Sequence, residues 1–123
     1  MESGFSRIPA PGPAVPPAAV IEAVLGRYAA AFSALDASRA KAVWPAVNER
    51  NLARAFESLE QQEFDLGDCD ITVTAPRAVA SCRGTARYTP RMGNRRMRTE
   101  SRQWTFTLES KEGTWSIASV DSR

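Results

Sequence analysis

The chain has 123 residues, 43% of them hydrophobic and 24% charged, with a formal net charge of +2. That is room for one domain and one core, large enough to stand without a metal or a disulfide framework. The overall charge gives no ground for a nucleic-acid partner, and no run approaches the roughly 20 apolar residues that a membrane-spanning helix requires.

Met1 to Arg7 runs into prolines where the apolar part of a signal peptide would lie, so no export signal is expected in this stretch. Five prolines fall between Ile8 and Pro17, with Gly12 and several alanines among them. Such a run favours extended polyproline conformations, and residues 1–18 read as a flexible linker ahead of a domain over 19–123. A docking ligand for a proline-recognition domain is the alternative reading of the run. A linker at this position implies a partner domain upstream.

From Val20 the apolar residues Ile21, Val24, Leu25, Tyr28, Phe32 and Leu35 recur at three- and four-residue spacing, which predicts one helix to about Leu35. Asp36 and Ser38 are able to cap a short second helix through Val43 and Trp44, which Pro45 stops. Asn48 offers a cap for a third, whose stripe is Leu52, Phe56 and Leu59.

The period then changes. Asp70 to Thr74 alternates as a half-buried strand, and Ala75, Pro76 and Arg77 break it. Val79 to Thr89 is predicted as a second strand, Gly93 and Asn94 as a turn, Thr99 to Glu109 as a third strand, and Thr114 to about Val120 as a fourth after Gly113. Trp104, Phe106 and Leu108 share one face of the third strand, and Trp115 and Ile117 continue it in the fourth. This face needs a cover, and only the helices are available. The expected fold class is therefore α+β: three N-terminal helices packed on a curved four-stranded antiparallel sheet.

In this order the segments AAVIEAVLGRYAAAFSALD, VWP, DCDITVT and WTFTLESKEGTWSIASV resemble the nuclear transport factor 2-like superfamily, which includes SnoaL-like and ketosteroid-isomerase-like proteins. The resemblance covers roughly Ala18 to Val120. It implies a cone-like α+β barrel, cystatin-like in fold, whose sheet wraps the helices around a cavity. It also points to bacterial members that are C-terminal modules behind a proline-rich linker. The hairpin that some members insert between the second and third helices is missing here, which implies a shallower cavity.

Enzymatic members of that superfamily use cavity carboxylates, often with His or Tyr. This chain has no histidine, which removes the commonest general base and metal ligand and every Ser/His or Cys/His nucleophile. Asp121, Glu100, Tyr28 and Tyr88 are the residues that can do comparable work, with Arg102, Trp44 and Trp104 as further pocket or rim candidates. None sits in a catalytic motif. Surface pairing is the plainer reading for Asp121 and Glu100, and core packing for Tyr28, Trp104 and Trp115. Ala78, Ala80 and Ala86 leave room beneath the second strand if they face inward.

Cys69 and Cys82 lie on adjacent predicted strands. A loop over Thr74 to Arg77 sets Val73 against Ala78 and Cys69 against Cys82, within disulfide range. A turn on Pro76 and Arg77 alone pairs Cys82 with Ile71 instead. Two buried free thiols in the core are the alternative to a bridge. Bridged cysteines indicate an extracytoplasmic compartment and free ones the cytoplasm. No metal site or other cofactor is expected from two cysteines alone.

Arg83, Arg87, Arg91, Arg95, Arg96, Arg98 and Arg102 crowd the hairpin around Gly93, opposed in sequence only by Glu100. The five from Arg87 to Arg98 form a candidate patch for an anion or an acidic partner. A solvated hairpin kept soluble by charge is the plainer reading, and nucleic acid is disfavoured because Tyr88 is the only nearby aromatic. The reading taken is a non-enzymatic module that binds a small hydrophobic ligand or a protein. The alternatives are a small-molecule isomerase, dehydratase or cyclase, and a dimerisation module that uses the outer face of the sheet.

Overall fold

Three helices lie against one face of a four-stranded meander in the computed structural model, which describes residues 15–123. Helix α1 spans Pro17–Ser33, α2 Ala37–Val43 and α3 Glu49–Glu57; strand β1 spans Leu59–Thr74, β2 Arg77–Pro90, β3 Arg98–Lys111 and β4 Thr114–Ser122. The strands are antiparallel and adjacent in chain order.

Most of the expected linker lies outside the described residues, but its last two positions, Pro17 and Ala18, already belong to α1. Proline is well suited to that first position, where its missing N–H has no intrahelical partner to lose. The side chain of Asp36 accepts from the Arg39 amide at 3.0 Å and starts α2, so Ser38 lies inside the helix rather than at its cap. The Asn48 side chain does the same for α3 through Asn51, also at 3.0 Å. Leu59 belongs to β1 and not to the α3 stripe.

The larger correction is the length of β1, which begins eleven residues before Asp70. Residues Glu60 to Cys69 are mostly polar, and a Gly breaks their alternation. Gly67 has φ +65° and sits at a bulge, because Asp65 pairs with Thr85 and Asp68 with Arg83. Two residues of β1, Leu66 and Gly67, therefore oppose Gly84 alone. A Cβ at Gly84 would stand 2.6 Å from the Leu66 carbonyl carbon and closer still to the Asp65 carbonyl oxygen. Only glycine admits the bulged backbone at that distance, and such a bulge bends its strand and increases the local twist. The bend curves the sheet around α1.

The core is the predicted one. Trp104, Phe106, Leu108 and Ile117 are at most 1% exposed, and Trp115 packs half-buried beside them. Over them lies the α1 stripe of Ile21, Val24, Leu25, Tyr28 and Phe32, all buried. Ala78, Ala80 and Ala86 face inward and are buried. Cys69 faces Cys82, Val73 faces Ala78, and a disulfide joins the two cysteines.

Replacing Gly84 with alanine forces that backbone apart. A loss of about 1 to 3 kcal/mol or more in unfolding free energy is expected from overpacking, measured by urea denaturation. An unchanged midpoint would remove the close approach as the cause of the curvature. Reducing the disulfide, or replacing both cysteines with serine, opens a loop with a sequence separation of 13. The chain-entropy account gives a loss of roughly 3 kcal/mol, to be read as a lower melting temperature under reducing conditions.

Candidate functional site

Two recesses matter, one inside the cone and one beside it. Inside, Tyr28 sits at the centre of an aromatic cluster. Its ring centroid is 4.3 Å from Phe32, 4.9 Å from Phe106 edge-on, 6.3 Å from Trp44 and 6.4 Å from Phe64. Phe64 stacks on Phe32 at 5.2 Å and meets Trp104 at 5.3 Å. The interior is thus filled with rings at ordinary contact distance. Burial pushes the Tyr28 phenol well above its usual range, and the nearby Arg102 opposes this only in part. The phenol remains protonated at neutral pH and cannot serve as a base there. Trp104 Nε1 is buried and has no hydrogen-bond partner among the described residues.

At the open end of the cone, alternation along β2 and β3 turns Tyr88, Glu100 and Arg102 to the same inner face as Trp104. The Tyr88 hydroxyl donates to Glu100 Oε2 at 2.8 Å, and Arg102 donates to the other carboxylate oxygen. The Arg102 guanidinium also lies 5.7 Å from the centroid of the Phe64 ring. The hydrogen bond from Tyr88 is the chief reason that Glu100 is held below its ordinary pKa, followed by the one from Arg102. Such a carboxylate is ionised and weakly basic, the opposite of the raised pKa that general-acid work requires. The sequence candidates Tyr28, Trp44, Tyr88, Glu100, Arg102 and Trp104 therefore do converge on the concave side.

Asp121 does not join them. It pairs with Thr105 on the outer face, is exposed, and lies 3.4 Å from Arg123. The arginine hairpin is also less open than its sequence suggests. Arg87 pairs with Glu63 at 2.7 Å and Arg95 with Glu60 at 2.9 Å. Arg91 donates to the carbonyls of Glu57 and Leu59 at 3.0 and 3.2 Å, which ties the hairpin to the end of α3. Arg96 and Arg98 are exposed. The opposing acids, Glu60 and Glu63, come from the polar first part of β1, which carries no clear strand alternation.

The second recess was missed for the same reason. An open groove of about 470 Å³ runs between α1 and β1, with Leu25, Ala29, Phe64, Leu66 and Cys69 as its apolar side. Glu22, Glu63 and Asp65 line it too, while Gly26 and Gly67 leave it unobstructed. At one end Ser33 Oγ accepts from the Phe64 amide at 3.0 Å and Gln62 Nε2 donates to the Phe32 carbonyl at 2.9 Å, closing helix onto strand. From there the two elements diverge. The alternation of Gln62, Phe64 and Leu66 was the available signal.

No protein-family profile matches the sequence, and no curated protein matches it. Solved structures do. A nuclear transport factor 2-like superfamily protein from Salmonella enterica serovar Typhimurium superposes with a TM-score of 0.75 at 14% identity, over 86% of this chain and 91% of that one. A protein from Streptomyces avermitilis, provisionally named a dehydratase of the same family, gives 0.74 at 14% identity, over 85% and 94%. The hexachlorocyclohexane dehydrochlorinase LinA type 3 of Novosphingobium barchaimii gives 0.75 at 10% identity, over 86% and 84%. At these identities the likeness speaks of architecture. A helix-covered curved meander with these neighbours has the nuclear transport factor 2-like fold.

Proposed function

We propose that this chain is a non-catalytic binding module that holds a protein segment in the groove between α1 and β1. The observation that carries this reading is the contrast between the two recesses. The cone is packed with Tyr28, Phe32, Phe64, Phe106 and Trp104 at contact distance, whereas the groove stands open. Its apolar floor offers burial, and Glu22 and Asp65, which have no ion pair among the described residues, favour a segment with apolar side chains beside Lys or Arg. The groove lies along an edge strand, where main-chain groups remain for an extended segment to pair with. The Cys69–Cys82 bond supports an extracytoplasmic setting, since such bonds persist in oxidising compartments. The prolines before α1 serve in this reading as the spacer to an upstream domain of a longer bacterial protein.

A second reading has one observation in its favour. Trp104 Nε1 is a buried donor left over beside the Tyr28 cluster, and Glu100, Tyr88 and Arg102 stand at the same end. Widening of the cone would admit a small hydrophobic ligand there, and the chemistry would be of the isomerase, dehydratase or cyclase kind seen on this fold. The dimerisation reading fares less well. The outward positions carry Thr72, Ser81, Arg83, Ser101 and Gln103, and Val79 is the large apolar residue exposed among them.

Replacing Ala29 with arginine obstructs the groove at the helix. Capture of the partner from the source cells, compared quantitatively between wild type and this variant, is expected to fall roughly tenfold or more with the melting temperature unchanged. Equal capture would overturn the assignment of the groove. Glu100→Gln separates the enzymatic reading: partner capture is expected to be unaffected, and a turnover that this variant abolishes would establish catalysis instead. The same variant tests the electrostatics. Because the folded pKa of Glu100 lies below its ordinary 4.5, its stabilisation is complete above that value and is lost as pH falls through the folded pKa. Thermal melts from neutral to acid pH are therefore expected to fall less steeply in Glu100→Gln.

A further inference from the structure

We infer that the outer face of the sheet holds an oxyanion site, built by Arg83, Gln103 and Arg123 and suited to the phosphate group of a small phosphate ester. These residues come from three different strands or their ends. Arg83 on β2 pairs with Gln103 on β3, and Gln103 exchanges both main-chain hydrogen bonds with Arg123 just beyond β4, at 2.7 and 2.9 Å. The three form one row across the sheet. With adjacent strands about 4.8 Å apart, the two arginine Cα atoms are roughly 10 Å apart, close enough for both guanidinium groups to converge over Gln103.

Thr85 and Ser101 pair with each other one step along the same face and add two hydroxyls. These five residues line one shallow pocket of about 480 Å³, together with Gly84 and Arg102. Arg102 directs its guanidinium to Glu100 on the inner face and is left out of the donor set. The pocket exceeds what a bare phosphate fills, so it leaves room for the body of an ester.

Two carboxylates border the row, and a third, Asp65, pairs in register with Thr85 on the same face and accepts from the Gly67 amide at 2.9 Å. Asp68 on β1 pairs with Arg83 in register but makes no ion pair with it among the described residues. Asp121, one step beyond, holds Arg123 loosely at 3.4 Å. Neither lines the pocket. The donors thus outnumber the acceptors at its centre: two guanidinium groups, one amide and two hydroxyls, a set that matches a tetrahedral oxyanion through paired, charge-assisted hydrogen bonds. The sequence drew attention to the arginines of the hairpin, but Arg87, Arg91 and Arg95 already have partners, whereas Arg83 has no carboxylate partner among the described residues.

The test is amide-resolved NMR titration of the whole chain with inorganic phosphate and with phenyl phosphate, each against chloride at equal ionic strength. Saturable shifts centred on Arg83, Ser101, Gln103 and Arg123 are expected, with the ester binding at least as tightly as phosphate. Arg83→Gln is expected to weaken both roughly tenfold, the loss of a charge-assisted contact. Asp121→Asn, which releases Arg123, is expected to strengthen them. The inference is overturned if phosphate shifts these amides no more than chloride does. It is equally overturned if the shifts centre on the hairpin from Arg91 to Arg98, or if Arg83→Gln leaves both affinities unchanged. None of these outcomes bears on the groove between α1 and β1, which lies elsewhere on the molecule.

Discussion

The edge of Tyr28 against the ring of Phe106 is the contact on which the rest of the structure depends. It joins the middle of α1 to the middle of β3, two elements nearly eighty residues apart in the chain, and the other aromatic rings arrange themselves around it. Each fully buried large apolar side chain contributes about 1.5 to 3 kcal/mol, so the floor of Trp104, Phe106, Leu108 and Ile117 with the stripe above it supplies a large share of the favourable burial. The rings of Phe32, Phe64 and Phe106 surround Tyr28 inside the cone, and burial keeps it a neutral phenol.

The second constraint is steric. A curved sheet that closes over one helix needs a place to bend, and here the bend is set by two glycines that face each other across β1 and β2. Gly67 supplies the left-handed backbone, and Gly84 supplies the absence of a side chain. The disulfide fastens the same strand pair just beyond the bulge, between Cys69 and Cys82. Beside this bulge the strand and α1 part to leave the groove. The feature that shapes the cone therefore also produces the open recess beside it.

Charge is distributed by the same register. Glu63 and Glu60 of β1 pair with Arg87 and Arg95, so the apparent excess of positive charge there is met in part. On the inner face Glu100 is satisfied by Tyr88 and Arg102 and becomes a fixed anion rather than a proton carrier. On the face turned away from the helices, Arg83 has no carboxylate partner among the described residues.

Much of the local order was readable from the residues. The three- and four-residue spacing of Ile21 to Phe32 dictated a helix, the side chains of Asp36 and Asn48 marked two helix starts, and alternation in Trp104 to Leu108 dictated a strand with one buried face. Of the two turns open to the sequence, the four-residue loop paired Cys69 with Cys82 by counting outward and the shorter one did not; the structure has the first register. Residues 60 to 69 resisted because polar side chains and one bulge hide a period of two. Only the tertiary structure decided that Asp121 faces away from the cone, that Glu60 and Glu63 answer Arg95 and Arg87, and that Arg83, Gln103 and Arg123 stand in a row. The physical reason is that such neighbours are set by strand register and sheet curvature. Those depend on backbone contacts between distant glycines, and no local period records them.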